Sequence, residues 1–473
     1  MQTPIYDFIS AYENKQPIRL HMPGHKGLGI LGVENRDITE FFGADNLYHA
    51  EGIILESENN ATSLFGTRHS FYSTGGSSQC IGAMLYLALL HHQKPSGRNV
   101  ILAGRNAHKA LLHAAAHLDL DIEWLYPKTK EHLCSCSVTP ESLEEVLLNM
   151  KELPMAVYLT SPDYLGNMAD IKGIADVCHE LELPLLVDNA HGAYLQFLEP
   201  SMHPMALGAD LCADSAHKTL PVLTGGAYLH VNETAMVSYE TQARRALSFF
   251  GSTSPSYLTL QSLDLCNKWL LEDADFSSTV QMVAECKERL LAQNVTILPS
   301  EPLKIVLDCQ KTGLSGFAME EELLQENIVC EFADDEVVVC MISPMTEHME
   351  LAILEAVVAP FYEISDVVTE LMFVEQALEH ILEPIQKPTP TMQLVTHEQK
   401  MSIRNAMLSP SETIKTTESL GRICALPAVS CPPAIPIAIS GEVITEDMME
   451  QFLAYGIAEV DVVVTGSPVK SEE

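Results

Sequence analysis

Short apolar runs rich in β-branched residues alternate with helix-length segments along the first part of the chain. Val100-Ile101-Leu102-Ala103, Ala156-Val157-Tyr158-Leu159-Thr160 and Leu185-Leu186-Val187-Asp188 are three such runs. Strands separated by helices predict βαβ units and a mostly parallel sheet. A long helical stretch is expected from about residue 261 to 293. Beyond it, Leu303-Lys304-Ile305-Val306-Leu307, a helix near 316–327 and the strand Glu336-Val337-Val338-Val339-Cys340-Met341 form a β-α-β pattern, which predicts a smaller α+β domain. Before residue 60 the periodicity is weak, and His21-Met22-Pro23-Gly24-His25-Lys26-Gly27 is turn chemistry. Pro384, Pro388 and Pro390 predict a stiff linker. The expected organisation is an N-terminal arm (1–60), a large α/β domain (61–293), a small α+β domain (294–383) and a C-terminal segment (384–473).

Composition narrows the class. At 473 residues with 47% apolar content, the chain can bury two or three folding units. Its net charge of −37 argues against nucleic acid as a partner, because such binders concentrate Lys and Arg. The opening Met1-Gln2-Thr3-Pro4-Ile5-Tyr6-Asp7 has no basic start followed by an apolar run, so no secretory signal is expected. The longest uncharged stretch, 423–441, holds four prolines and reads as loop and short strand rather than a membrane span. The twelve cysteines show no CxxC pair, which predicts scattered thiols in a reducing cytoplasm and no metal site.

Four segments carry candidate chemistry. Lys218, in Asp214-Ser215-Ala216-His217-Lys218-Thr219-Leu220 ahead of a Gly225-Gly226 turn, is placed to form an imine with a carbonyl cofactor; it also fits an ordinary loop lysine. Asp188 ends an apolar strand where α/β sheets bind ligands, and suits either a pyridine nitrogen or a helix cap. Ser73-Thr74-Gly75-Gly76-Ser77-Ser78-Gln79 opens an apolar helix and suits a phosphate or a plain serine N-cap. His108, in Arg105-Asn106-Ala107-His108-Lys109 just after a strand, has the flat face needed to stack on an aromatic ring, or is simply a polar residue starting a helix.

Taken together, the order of phosphate cradle, stacking histidine, strand-end acid and imine lysine resembles the fold-type-I pyridoxal phosphate enzymes, the aspartate aminotransferase-like group. His21 to Gly27, Arg105 to Lys109, Thr160-Ser161-Pro162, Ala190-His191-Gly192, Ser215 to Leu220 and Thr253-Ser254-Pro255-Ser256-Tyr257 narrow the likeness to the prokaryotic ornithine/lysine/arginine decarboxylases. The resemblance runs from about Pro4 to Gly441-Glu442-Val443-Ile444. It implies a PLP-dependent transferase-like large domain, Lys218 as the covalent cofactor residue, Asp188 at the pyridine nitrogen and His108 on the ring. It further implies that Gly76, Ser77, Ser78, Ser215 and His217 surround the phosphate, that His191 borders the cofactor, and that Ser254 reaches a neighbouring subunit's cofactor in a homodimer. The chain differs from the family pattern Tyr-Pro-Pro-Gly-Ile-Pro at Cys431-Pro432-Pro433-Ala434-Ile435-Pro436. The activity implied is decarboxylation of a basic amino acid, with Lys218 or His217 returning the proton to Cα. Glu442 is a candidate for the substrate's distal cation, or an exposed acid opening the last helix. An aminotransferase, a lyase or a non-catalytic cofactor binder would use the same cofactor residues.

Overall fold

The computed structural model describes residues 1–92, 99–129, 131–362, 397–429 and 434–464. The linker prolines and Cys431-Pro432-Pro433 lie outside the described residues. Strands β1 (His69–Ser73), β2 (Val100–Gly104), β3 (Asp121–Leu125), β4 (Ala156–Thr160), β5 (Leu185–Asp188), β6 (Leu211–Asp214) and β7 (Ala227–Val231) form one sheet in the order β1-β7-β6-β5-β4-β2-β3. The pairs from β3 through β6 are parallel, and β7 is antiparallel to both β6 and β1.

Strand alternation explains why the central runs read as continuously apolar. Ile101, Ala103, Tyr158 and Leu186 enter one core with Met84, Leu85, Leu111 and Leu112 of the helices Gly76–His91 and Lys109–Leu118. Leu102, Val157, Leu159, Leu185 and Val187 enter the other, with Leu143, Leu147, Ile174 and Cys178 from the helices Pro140–Asn149 and Ile171–Glu180. Both faces of the sheet are therefore covered.

Three expectations are corrected. The arm is not uniformly irregular: it contains the helix Pro4–Asn14, and its boundary at residue 60 falls inside the helix Ile53–Phe65. Between these helices the chain is ordered by side-chain to backbone bonds, with the Glu34 carboxylate accepting the N–H groups of Ile30, Leu31, Gly32 and Val33. The stretch 261–293 is two helices, Tyr257–Glu272 and Phe276–Ala292, divided where the Asp275 carboxylate caps the second by accepting from Ser278 N–H at 2.9 Å.

A second, antiparallel sheet is formed by β8 (Ile297–Leu298), β9 (Lys304–Asp308), β10 (Phe332–Ala333) and β11 (Val337–Met341), ordered β10-β11-β9-β8. In the C-terminal segment, β12 (Ser411–Lys415) pairs with β15 (Glu459–Val463), and β13 (Ala428–Val429) with β14 (Pro436–Ala438). Val306, Val337 and Val339 of the small sheet share a core with Ile437, Phe452 and Val460, which fixes where the last segment packs. Among the described residues no helix is long and apolar enough to cross a membrane. Of the described cysteines, Cys136 and Cys330 are half-buried, the others are buried, and none is bridged.

Candidate active site

The carboxyl ends of β2, β4, β5 and β6 open on one side of the sheet, where a parallel α/β fold places its ligand crevice. There a cavity of about 240 Å³ is lined by Lys218, Asp188, His191, His108, Ser77 and Thr160. Asn106, Tyr164, Ala190, Glu331, Ala434 and Ile435 complete its wall. A larger, open groove of about 820 Å³ lies along β3 and the helix Pro140–Asn149. Among its charged side chains Lys128 and Glu145 are exposed and paired with each other at 2.8 Å, whereas the smaller cavity brings a lysine, two histidines and two acids into one wall.

Lys218 leaves the short helix Ala216–Thr219 directly after β6 and brings Nζ within 3.0 Å of His191 Nε2. Burial lowers the ammonium from its ordinary range, against the pull of the Asp188 and Glu331 carboxylates. Burial and then the neighbouring Lys218 push the His191 imidazole far down, so it is neutral and accepts the lysine's hydrogen at Nε2. Asp188 is buried and accepts from Tyr158 Oη–H at 3.1 Å and from Ala190 N–H at 3.2 Å. Burial raises its carboxyl, and Lys218 opposes the rise. A carboxylate in that state gains most from a facing cation. His108 caps the helix Lys109–Leu118 by accepting Ala110 N–H at Nδ1, and burial followed by Lys218 lowers it to about 4. Its ring is neutral and forms part of the wall.

At the opposite end, Ser215 Oγ–H donates to Ser77 Oγ at 2.8 Å beside the start of the helix Gly76–His91. Neither Ser77 nor Ser78 caps that helix with its side chain, so both hydroxyls stand outside the plain N-cap arrangement. Gly225, at φ +91°, brings its carbonyl to Gly76 N–H at 2.8 Å and passes close to Thr74 O, a turn that a Cβ would obstruct. The loop that opens the helix Gly76–His91 and the loop after Lys218 are thereby joined.

Some expected site residues lie elsewhere. Ser78 lines an adjoining cavity with His108, Lys109 and His113. His217 turns Nδ1 to Gly226 O at 3.0 Å and does not line the lysine's cavity. Ser254 is exposed, in a loop that does not reach it. Glu442 fits neither of its readings. It is buried, accepts Ile439 N–H at 2.8 Å and lies 3.8 Å from Arg105, which itself bonds Pro436 O and Ile437 O. That carboxylate is committed to anchoring the C-terminal segment on β2.

Sequence reasoning missed Glu331, Tyr164 and Lys304. Tyr164 Oη–H donates to Glu331 at 2.6 Å, and the Tyr164 ring meets His191 edge-on at 4.9 Å. Lys304, wholly buried on β9, donates to the carbonyls of Asp163 and Tyr164 at 3.2 and 3.1 Å. Tyr164 stood in a segment legible only as a loop, and no local pattern marks Glu331 or Lys304.

A mostly parallel sheet with a half-buried lysine and a buried acid at its carboxyl edge defines an α/β enzyme of the fold-type-I class. Residues 3–309 match the model of the Orn/Lys/Arg decarboxylase major domain, and the chain belongs to that family. It is 28% identical over 499 residues to an arginine decarboxylase of Bacillus subtilis (strain 168), covering 100% of this chain and 96% of that protein. An arginine decarboxylase of Halalkalibacterium halodurans is also 28% identical, covering 94% and 91%. A lysine decarboxylase of Francisella novicida superposes with a TM-score of 0.77 at 16% identity, covering 98% of this chain and 81% of that one. The E. coli constitutive lysine decarboxylase gives 0.74 at 17%, covering 98% and 82%. At these identities the structural likeness is one of fold. The protein is an amino-acid decarboxylase, and its family implies pyridoxal phosphate.

The residues present suit that group. Thr160 Oγ1 and His191 Nδ1 are buried in the cavity wall with no hydrogen-bond partner in the protein, a costly state that a polar ligand relieves. A lysine of lowered basicity, a buried acid and a hydroxyl-lined helix start complete the donor set.

Proposed function

We propose that the protein holds pyridoxal phosphate covalently on Lys218 and decarboxylates a basic amino acid whose distal cation is received by Glu331. The observation that carries this reading is the single cavity wall shared by Lys218, Asp188 and Glu331. When bound, the cofactor supplies an electron sink for the bonding pair left by the departing carboxylate. Asp188 holds the proton on the pyridine nitrogen, since a buried carboxylate favours a facing cation. Ser77, Ser215 and the N-terminus of the helix Gly76–His91 bind the phosphate. His108, neutral at working pH, provides a flat, uncharged wall. His191 accepts at Nε2 and keeps Lys218 Nζ oriented, while its Nδ1 offers a donor to the bound group. Lys218 Nζ returns the proton to Cα, because it lines the cavity and His217 does not. Tyr164 and Ile435 limit access of water.

The same reading includes a homodimer in a reducing cytoplasm. Ile18, Leu20, Leu28, Ile30, Leu31 and Phe42 of the arm are each at least 80% exposed, an apolar surface fitted to a second copy. Ser254, exposed in one subunit, is available to its neighbour.

Two measurements test the proposal. Borohydride reduction of the purified holoenzyme followed by peptide mapping is expected to place the adduct on Lys218. A panel of amino acids is expected to release carbon dioxide from lysine, ornithine or arginine, and Glu331→Gln to lower kcat/KM for that substrate roughly 10- to 100-fold through loss of a charge-assisted hydrogen bond. Carbon dioxide only from acidic or aromatic substrates, or ketoacid in place of amine, refutes it.

A further inference from the structure

Behind the strand ends that carry Asp188 and Lys218 lies a buried carboxylate with two imidazoles. Asp214 closes β6 one residue before the turn that leads to Lys218. Asp188 and Ala213 are register partners, so alternation sends Asp188 to the cavity side and Asn189 and Asp214 to the opposite side of the sheet. There Asn189 Nδ2–H donates to Asp214 Oδ1 at 2.7 Å. His203 and His230 donate through Nε2 to Asp214 Oδ2 at 2.9 and 3.1 Å. None of the four side chains reaches solvent.

The proton positions follow from the outer bonds. His203 Nδ1 accepts Met205 N–H at 3.2 Å, which places its ring proton on Nε2, aimed at Asp214. His230 Nδ1 lies 2.8 Å from Ser70 Oγ, which in turn is 2.8 Å from Thr67 Oγ1, a chain that supplies a hydroxyl donor to Nδ1. Both imidazoles are then neutral donors, and Asp214 keeps its negative charge. A metal ion among these three residues would need the Nε2 lone pair that the His203 tautomer withholds. The other titratable groups facing Asp214 do not neutralise it. Cys212, whose Sγ–H reaches Oδ1 at 3.4 Å, and Cys80 of the helix Gly76–His91 are held protonated by burial, and the Tyr228 hydroxyl likewise. Among the described residues no lysine or arginine forms an ion pair with it.

We propose that Asp214 is a positioning residue: through Asn189 and His230 it holds the ends of β5 and β6 against β7 in the arrangement that presents Asp188 and Lys218 to the cofactor, and its retained charge strengthens the grip of Asp188 on a cationic ring. This rests on the reading of Asp188 as the ring's partner. Asn189 is bonded to Asp214 by its side chain and to Ala213 O by its N–H at 3.0 Å, so the residue after Asp188 is tied to β6 twice. Burial is what chiefly raises the proton affinity of Asp188, and the negative charge of Asp214 adds to it across the sheet.

The test compares Asp214→Asn, which removes the charge and keeps the shape, with His203→Gln, which keeps the charge. In each holoenzyme the visible absorbance of bound pyridoxal phosphate is followed against pH, the dissociation constant is measured by titrating cofactor into the stripped protein, and thermal midpoints are recorded. Asp214→Asn is expected to move the pH midpoint of the visible band down by roughly 0.5 to 1 unit and to weaken cofactor binding about tenfold. His203→Gln is expected to leave the midpoint within about 0.2 unit while lowering the thermal midpoint. Equal midpoints in wild type and Asp214→Asn, with only a thermal loss, overturn the proposal, as does a stoichiometric transition metal in the purified enzyme. If Asp214→Asn does not fold, Asn189→Ala carries the test, with a threefold or greater rise in the cofactor dissociation constant expected and no change overturning it. Asp188→Asn separates the two readings: if it leaves the spectrum unchanged, the assignment of Asp188 itself fails, whatever Asp214 does.

Discussion

Lys304 offers a quantitative test of how the second sheet is locked to the active-site loop. Its ammonium is wholly buried, and burial pushes it from 10.5 down to about 8, against the pull of Glu301 and Asp163. A depression of that size is worth roughly 3 kcal/mol against the folded state when the amine is charged in both states. Because the folded pKa lies below the unfolded one, the unfolded chain binds more protons between about pH 8 and 10.5. The penalty is therefore complete below pH 8 and is relieved as pH rises through that window. Lys304→Met removes the buried charge but leaves the Asp163 and Tyr164 carbonyls without their donor, a loss of about 1–3 kcal/mol that does not titrate. Near pH 7 the two effects oppose, and the variant is expected to unfold in urea close to wild type. By pH 10 the wild-type lysine is neutral and still donates, so wild type gains roughly 2–3 kcal/mol on the variant. Urea midpoints and slopes for the stripped proteins at pH 7, 8, 9 and 10 measure the gap. A gap that stays constant across this range refutes the assignment of a depressed, charged Lys304.

Two further outcomes follow from the geometry. Asp188→Asn is expected to retain cofactor bound through Lys218 and the phosphate contacts while losing at least about 100-fold in kcat, measured as carbon dioxide release under saturating substrate, because an amide no longer favours a protonated ring; near-normal turnover would reduce Asp188 to its bond with Ala190. Ala434 sits at φ +59°, in the left-handed region that costs a residue with a Cβ about 1–2 kcal/mol, so Ala434→Gly is expected to raise stability by roughly 0.5–1 kcal/mol in urea unfolding after the entropy of glycine is counted.

The parts of the fold that were legible in the sequence are those whose physics is local. β4 and β5 could be read because strands buried on both faces are apolar at every position, as Ala156 to Leu159 and Leu185 to Val187 are. Short Leu211–Asp214 and mixed His69–Ser73 gave no comparable signal, since β6 and β1 depend on neighbours supplied by the sheet. Weak periodicity before residue 60 concealed order created by side chains such as Glu34, whose bonds to successive N–H groups have no repeat to detect. The helix break at 273–275 was not read from the sequence, although Asp275 ahead of Ser278 is a capping signature.

The substrate end of the site shows why a candidate carboxylate is hard to choose from sequence. Glu442 follows the segment at 431–436, and it was a candidate because a carboxylate can hold a substrate's distal cation. In the fold its countercharge is Arg105, the residue just after β2, and the carboxylate, held by that pairing and the Ile439 N–H, does not line the cavity. Glu331 has the opposite history. Nothing around it resembles a site, yet its place just before β10 puts it in the same cavity wall as Lys218, with Tyr164 as its hydrogen-bond donor. The Tyr164 loop is held in turn by Lys304 on β9 and by Glu301 N–H, which donates to Gly166 O at 2.7 Å. Glu331, the acid we propose for the substrate's distal cation, is thus positioned from the sheet of β8 to β11, whereas Asp188 and Lys218 stand at the edge of the seven-stranded sheet. A substitution that loosens the contact between them, such as Lys304→Met, should then disturb recognition of the basic substrate more than binding of the cofactor.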